Sequence, residues 1–135
     1  MTILKRIFRK GFWALFAWIP FGASAQIDAV SAGTASYYAN KFEGRKTSSG
    51  EIFRQDSLTA AHKTLPFGTV VSVTNLSNDS IAVVRINDRL PKSSTRSIDL
   101  SMAAARQLNF VRKGLTKVRI DVVNPKKEES VIEEQ

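Results

Sequence analysis

The chain has 135 residues, one histidine, no cysteine and a formal net charge of +8, with 43% hydrophobic residues. That length fits one domain with a core of its own. The absence of cysteine excludes disulfide staples, zinc–thiolate centres, a thiol nucleophile and a lipid-bearing N-terminal cysteine, and a single histidine leaves too few ligands for a transition-metal site. No cofactor is expected.

Residues 1–25 read as a secretory signal peptide. Lys5, Arg6, Arg9 and Lys10 form a positive segment with no acid, and an apolar run follows from Phe12 to Ile19. Pro20 and Gly22 break that run, and Ala23-Ser24-Ala25 supplies the small residues of a cleavage site. The run is short of the roughly 20 apolar residues that span a bilayer. The expectation is an exported periplasmic or cell-envelope protein, soluble rather than lipid-anchored, with no stable membrane anchor after cleavage. An uncleaved anchor is the alternative. Outside the cytoplasm, ATP and nicotinamide cofactors are lacking, which favours hydrolases, lyases and binding modules.

Residues 26–32 read as a linker. Gly33-Thr34-Ala35-Ser36-Tyr37-Tyr38 is small, β-branched and aromatic, as strands are. Its adjacent tyrosines point to opposite faces, one to the core and one free to line a groove and stack on a sugar ring. Residues 40–53 form a polar loop with Gly44 and Gly50 as turn residues. Glu51 is followed by apolar Ile52 and Phe53, a setting that would raise a carboxyl pKa by desolvation, as a general acid needs. A solvated loop glutamate is the plainer alternative.

Residues 58–62 form a short strand ending in His62, the only histidine. Residues 63–69 form a turn, 70–76 a strand, 77–80 a hairpin turn, and 81–86 the return strand. That strand breaks at Asn87-Asp88-Arg89, delivering one carboxylate to a loop between Arg85 and Arg89. Met102-Ala103-Ala104-Ala105-Arg106-Gln107-Leu108 is the one good helix, with Asp99 or Ser101 as its N-cap. Residues 115–123 alternate apolar and charged and predict a last strand with one wet face. The tail, residues 124–135, is charged and expected to be disordered.

Many short strands, turn signals and one helix describe a small all-β barrel. The charge is spread as +4 over residues 1–25, +6 over 26–125 and −2 over the tail. A moderately basic domain suits a polyanionic partner such as an acidic wall polymer. With no dense basic stripe interleaved with aromatics, nucleic acid is not expected.

Seven blocks now resemble, in order, those of the rare lipoprotein A (RlpA) family. They are residues 33–38, Gly44-Arg45-Lys46-Thr47-Ser48-Ser49-Gly50-Glu51, Leu58-Thr59-Ala60-Ala61-His62, Leu65-Pro66-Phe67-Gly68-Thr69, Val73-Thr74-Asn75-Leu76, Arg85-Ile86-Asn87-Asp88-Arg89 and Ile98-Asp99-Leu100-Ser101. The resemblance spans residues 33–123. It implies a six-stranded double-psi β-barrel similar to barwin and expansins. It also implies a lytic transglycosylase, a lyase that cleaves the β-1,4 bond between N-acetylmuramic acid and N-acetylglucosamine in peptidoglycan. Such enzymes leave 1,6-anhydro ends and favour peptide-free glycan strands.

Carried over by the resemblance, Asp88, Glu51 and His62 are the expected catalytic residues, with Asp88 as acid/base and His62 orienting a carboxylate. Tyr38, Arg45, Thr47, Ser48, Asn87 and Arg89 are expected to bind saccharide. The partner is the glycan strand, and the protein is expected to be a monomer. The alternatives are a non-catalytic, expansin-like wall-binding module and a hydrolase like family 45 endoglucanases. Members often have glycine where this chain has Leu90; a loop needing positive φ there would take another shape with leucine.

Overall fold

The computed structural model describes residues 31–123. The predicted signal peptide, most of the linker and the charged tail lie outside the described residues. Six strands, β1 (Ser31–Tyr37), β2 (Thr59–His62), β3 (Val70–Asn75), β4 (Ile81–Arg89), β5 (Ile98–Leu100) and β6 (Thr116–Val122), close into a barrel in the order β1-β5-β2-β4-β3-β6. One helix, α1 (Met102–Gln107), follows β5. This is the expected double-psi β-barrel. β1 and β5 pair in parallel, as do β2 and β4; the other neighbours are antiparallel. β1 begins at Ser31, inside the segment read as linker, because its ladder with β6 runs out to Ser31 opposite Ile120.

The period of two decides which side chains fill the barrel. In β4, Ala82, Val84 and Ile86 are buried while Ile81 and Val83 face solvent. Val71 and Val73 from β3, Val118 and Ile120 from β6, and Ile98 and Leu100 from β5 meet them in one core. Ala104, Ala105, Leu108 and Phe110 cap it from the helix side. The Ser101 hydroxyl accepts from the Ala104 N–H and caps α1. Asp99 is therefore not the cap; it lies within β5.

Two local expectations change. β4 continues through Asp88 to Arg89, so the acid sits in the strand rather than in a loop after it. Leu90 has no positive φ. Its side chain is buried and its N–H bonds the His62 carbonyl at 3.3 Å, so leucine is accommodated without strain.

Candidate active site

The site begins with an irregularity between β2 and β4. Ala60 is opposite Ile86, but Ala61 is opposite Asp88. Asn87 is thus an extra residue in β4, a bulge of the kind that re-aims side chains next to active sites. Its freed carbonyl accepts from Ser49 N–H at 3.3 Å, and its side-chain amide donates to Glu51 at 3.2 Å. The loop of residues 44–53 is docked on the bulge by these bonds. Gly44 and Gly50 turn that loop with φ of 80° and 90°, as predicted.

Asp88 emerges from the bulge into a groove of about 630 Å³, lined also by Tyr38, Phe42, Ala61, Arg89, Arg96 and Asp99. Its carboxylate accepts three hydrogen bonds: from the Tyr38 hydroxyl at 2.5 Å, and from the Ser48 and Arg89 backbone N–H groups, each at 2.9 Å. Burial alone would raise the Asp88 pKa, but these donors outweigh it and hold the carboxyl below the usual carboxylate range. Burial, then the same hydrogen bond and charge, push the Tyr38 phenol up, so it stays a donor. The Tyr38 ring is fixed by stacking on buried Phe53, centroids 4.2 Å apart, and meets Phe42 edge-on at 5.9 Å. Of the tyrosine pair, Tyr37 takes the core side, packed against Phe110.

Glu51 departs from its expected setting. It is well exposed and gripped by both terminal nitrogens of Arg85, at 2.6 and 2.8 Å. These bonds, with that from Asn87, lower its pKa, whereas the apolar neighbours predicted a rise. Ile52 points to solvent and Phe53 turns into the core, so neither desolvates the carboxylate. Glu51 grips the bulge through Asn87 and does not line the Asp88 groove.

His62 also stands apart. Its Nδ1 accepts from the Thr64 and Leu65 N–H groups, each at 3.1 Å. It lines a second cavity of about 330 Å³ with Ser31, Lys63, Leu65 and Ile120. The ion pairs among the described residues do not include it, and it hydrogen-bonds neither carboxylate. Burial, then Arg89 and Lys63, lower its pKa, which favours the neutral ring that accepts these bonds. The folded pKa lies below the unfolded one near 6.5, so this contribution is full above that value and is lost as pH falls through the folded pKa. His62→Asn, whose carbonyl can take over the acceptor role, is expected to keep the melting temperature within a few degrees. His62→Leu removes the acceptor; water can take the exposed Thr64 N–H, and the partly buried Leu65 N–H is left to cost about 1 kcal/mol. Thermal denaturation at pH 7 reads the difference.

Of the residues expected to bind saccharide, Tyr38 and Arg89 line the groove. Arg89 also bonds the His62 carbonyl at 3.2 Å and lies over Phe67 at 4.2 Å. Arg45 is exposed beside Phe42, 5.4 Å from the ring centroid. Ser48 contributes its N–H to Asp88. Thr47 and Asn87 are buried: the Thr47 hydroxyl donates to the Glu51 carbonyl at 3.0 Å and braces the loop. Sequence reasoning passed over Asp99 as a groove residue. The signal was its place between Ile98 and Leu100, both fully buried, which sends Asp99 outward.

The family model described as "Lytic transglycolase" matches residues 30–120. The chain belongs to the lytic transglycolase family. Its relatives include a probable endolytic peptidoglycan transglycosylase RlpA of Synechocystis, 52% identical over 103 residues. The alignment covers 76% of this chain and 32% of that relative. The endolytic peptidoglycan transglycosylase RlpA of Haemophilus influenzae is 48% identical over 95 residues, covering 70% of this chain and 33% of the relative. The chain spans about a third of the length of these curated relatives. Among solved structures, Streptomyces papain inhibitor superposes with a TM-score of 0.58 at 23% identity, over 73% of this chain and 98% of its own. A Clavibacter michiganensis expansin gives 0.59 at 19% identity, over 72% and 52%. These two likenesses show the barrel fold alone.

Proposed function

We propose that this member of the lytic transglycolase family cuts peptidoglycan glycan strands. The bond is β-1,4, between N-acetylmuramic acid and N-acetylglucosamine, and the product carries a 1,6-anhydro end. Peptide-free strands in the cell envelope are the expected substrate, and residues 33–123 the catalytic barrel. The observation that carries this reading is Asp88, held by Tyr38, Ser48 and Arg89 in an open groove with an aromatic wall. The relatives' names supply the substrate class.

The chemistry needs one proton to move twice. Protonated Asp88 gives its proton to the glycosidic oxygen O4 as the C1–O4 bond breaks, and O4 keeps the bonding electron pair. The C6 hydroxyl of the same muramic acid attacks C1, and its proton passes to Asp88. No water is consumed, and Asp88 ends protonated as it began. Glycan seated in the groove removes water from the carboxylate, which favours the protonated form. Glu51 and Asn87 hold the loop that brings Ser48 to Asp88.

In the free protein Asp88 is ionised at neutral pH, because its pKa is depressed. Its protonated fraction therefore grows about tenfold for each pH unit of acidification. Initial rates at low glycan concentration are expected to rise by about that factor per unit from pH 7 to pH 5. A flat profile would exclude Asp88 as the proton donor. Function itself is tested by digesting purified peptide-free strands and weighing the products. Anhydro ends support the proposal and reducing ends indicate hydrolysis. Binding without cleavage would leave the expansin-like wall-binding reading.

A further inference from the structure

The groove holds a second carboxylate whose placement is fixed by strand register. Ala61 in β2 is flanked by Asp88 on β4 and by Asp99 on β5. Lateral partners in a sheet share a face, so both acids rise on the same side of the barrel with a methyl group between them. Two strand spacings separate their Cα atoms by about 10 Å, room for a glycosidic linkage between two carboxyl groups.

Asp99 is held as firmly as Asp88, by different donors. Its register partner in β1 is Ser36, whose hydroxyl donates to it. Arg96 grips it with two nitrogens, at 2.9 and 3.1 Å. Asp99 is mostly covered, its side chain 16% exposed, while the Arg96 side chain is 42% exposed. All three residues line the groove. A surface ion pair that only closed the loop of residues 91–97 would not need to sit across one alanine from the acid/base.

We propose that Asp99 is a second catalytic group: an anion, fixed by Ser36 and Arg96, that faces the anomeric carbon across from Asp88. As the C1–O4 electron pair leaves with O4, positive charge develops on C1 and the ring oxygen. The Asp99 carboxylate stabilises that charge until O6 closes onto C1. Asp99 exchanges no proton, which stays the task of Asp88. The inference rests on the transglycosylase reading for its product, and on the register alone for its geometry.

The test is Asp99→Asn, assayed for melting temperature, for affinity to peptide-free glycan, and for kcat and KM of anhydro-end formation. The expected result is a fold and glycan affinity close to wild type, KM within about threefold, and kcat lower by about 10²–10³-fold. The rise in rate toward acid pH, which belongs to Asp88, is retained. A kcat within twofold of wild type overturns the proposal, as does a loss of affinity equal to the loss of kcat. If Asp99→Asn does not fold, Arg96→Gln loosens the carboxylate without removing it. A fall in kcat of about tenfold at unchanged KM then supports the role, and unchanged kcat overturns it. Wild-type products separate the two readings. If they are reducing ends, the transglycosylase reading fails, and a kcat loss in Asp99→Asn still supports Asp99. If wild type binds glycan and cuts nothing, both fail.

Discussion

Asp88→Asn is expected to lower cleavage of peptide-free glycan by at least about 10³-fold while the protein melts within a few degrees of wild type. General acid/base groups contribute roughly 10²–10⁴-fold to rate, and this one serves both proton transfers. The fold tolerates the change because the amide is isosteric. Its oxygen still accepts from the Ser48 and Arg89 N–H groups, and its nitrogen can donate to the Tyr38 hydroxyl. What disappears is the titrating oxygen. Mass spectrometry of the digest and thermal denaturation read the two halves of the prediction. An active Asp88→Asn variant would move the acid/base role elsewhere.

Ala61→Leu is the second large effect. Ala61 is the floor between Asp88 and Asp99, and its side chain is a single methyl. Leucine adds three carbon atoms where the sugar must lie. The barrel core is on the other face of β2, so the cost to folding stays within the roughly 1–3 kcal/mol of an overpacked site. Cleavage should fall by at least about 10²-fold, since a misplacement of 1 Å costs that much in rate, and glycan affinity should fall with it. Ala61→Ser, which adds one atom, should retain most activity. Co-sedimentation with glycan strands and the product assay check both variants. Retained affinity in Ala61→Leu would show that substrate lies elsewhere.

Much of the barrel could be read from sequence because its long strands carry their own pattern. β3 and β4 are rich in β-branched residues and β6 alternates apolar and charged residues, so the expected bounds of each lie within a few residues of its observed ends. β5 has three residues, too few for a period to show, and it became visible only through its pairing with β1 and β2. Asp99 is ambiguous in the sequence for the same reason. An acid shortly before an alanine-rich segment looks like a cap until Ser101 is seen to fill that place.

The site was legible as a set of residue types and illegible as an arrangement. Asp88 and Tyr38, 50 residues apart, meet in the groove. Ile52 and Phe53 suggest an apolar setting for Glu51, but Arg85, 34 residues away, decides it. The family resemblance puts His62 beside the carboxylates, whereas its ring turns back onto Thr64 and Leu65. In the sequence Leu90 looks like a backbone problem; in the fold it is a packing residue. For Asp88, Glu51 and Leu90 the deciding partner is a tertiary contact, and for His62 it is the backbone of the turn that follows it.

The bulge at Asn87 has a consequence for how such a protein can change over generations. The loop of residues 44–53 is fastened to β4 at the one point where the β2–β4 ladder skips a residue. Substitutions at Arg45, Lys46 or Ser48 therefore alter the surroundings of the acid without touching a rung of the barrel. Selection can try new loops over Asp88 while the fold beneath keeps its melting point. A scaffold built this way separates the risk of losing structure from the search for a new substrate.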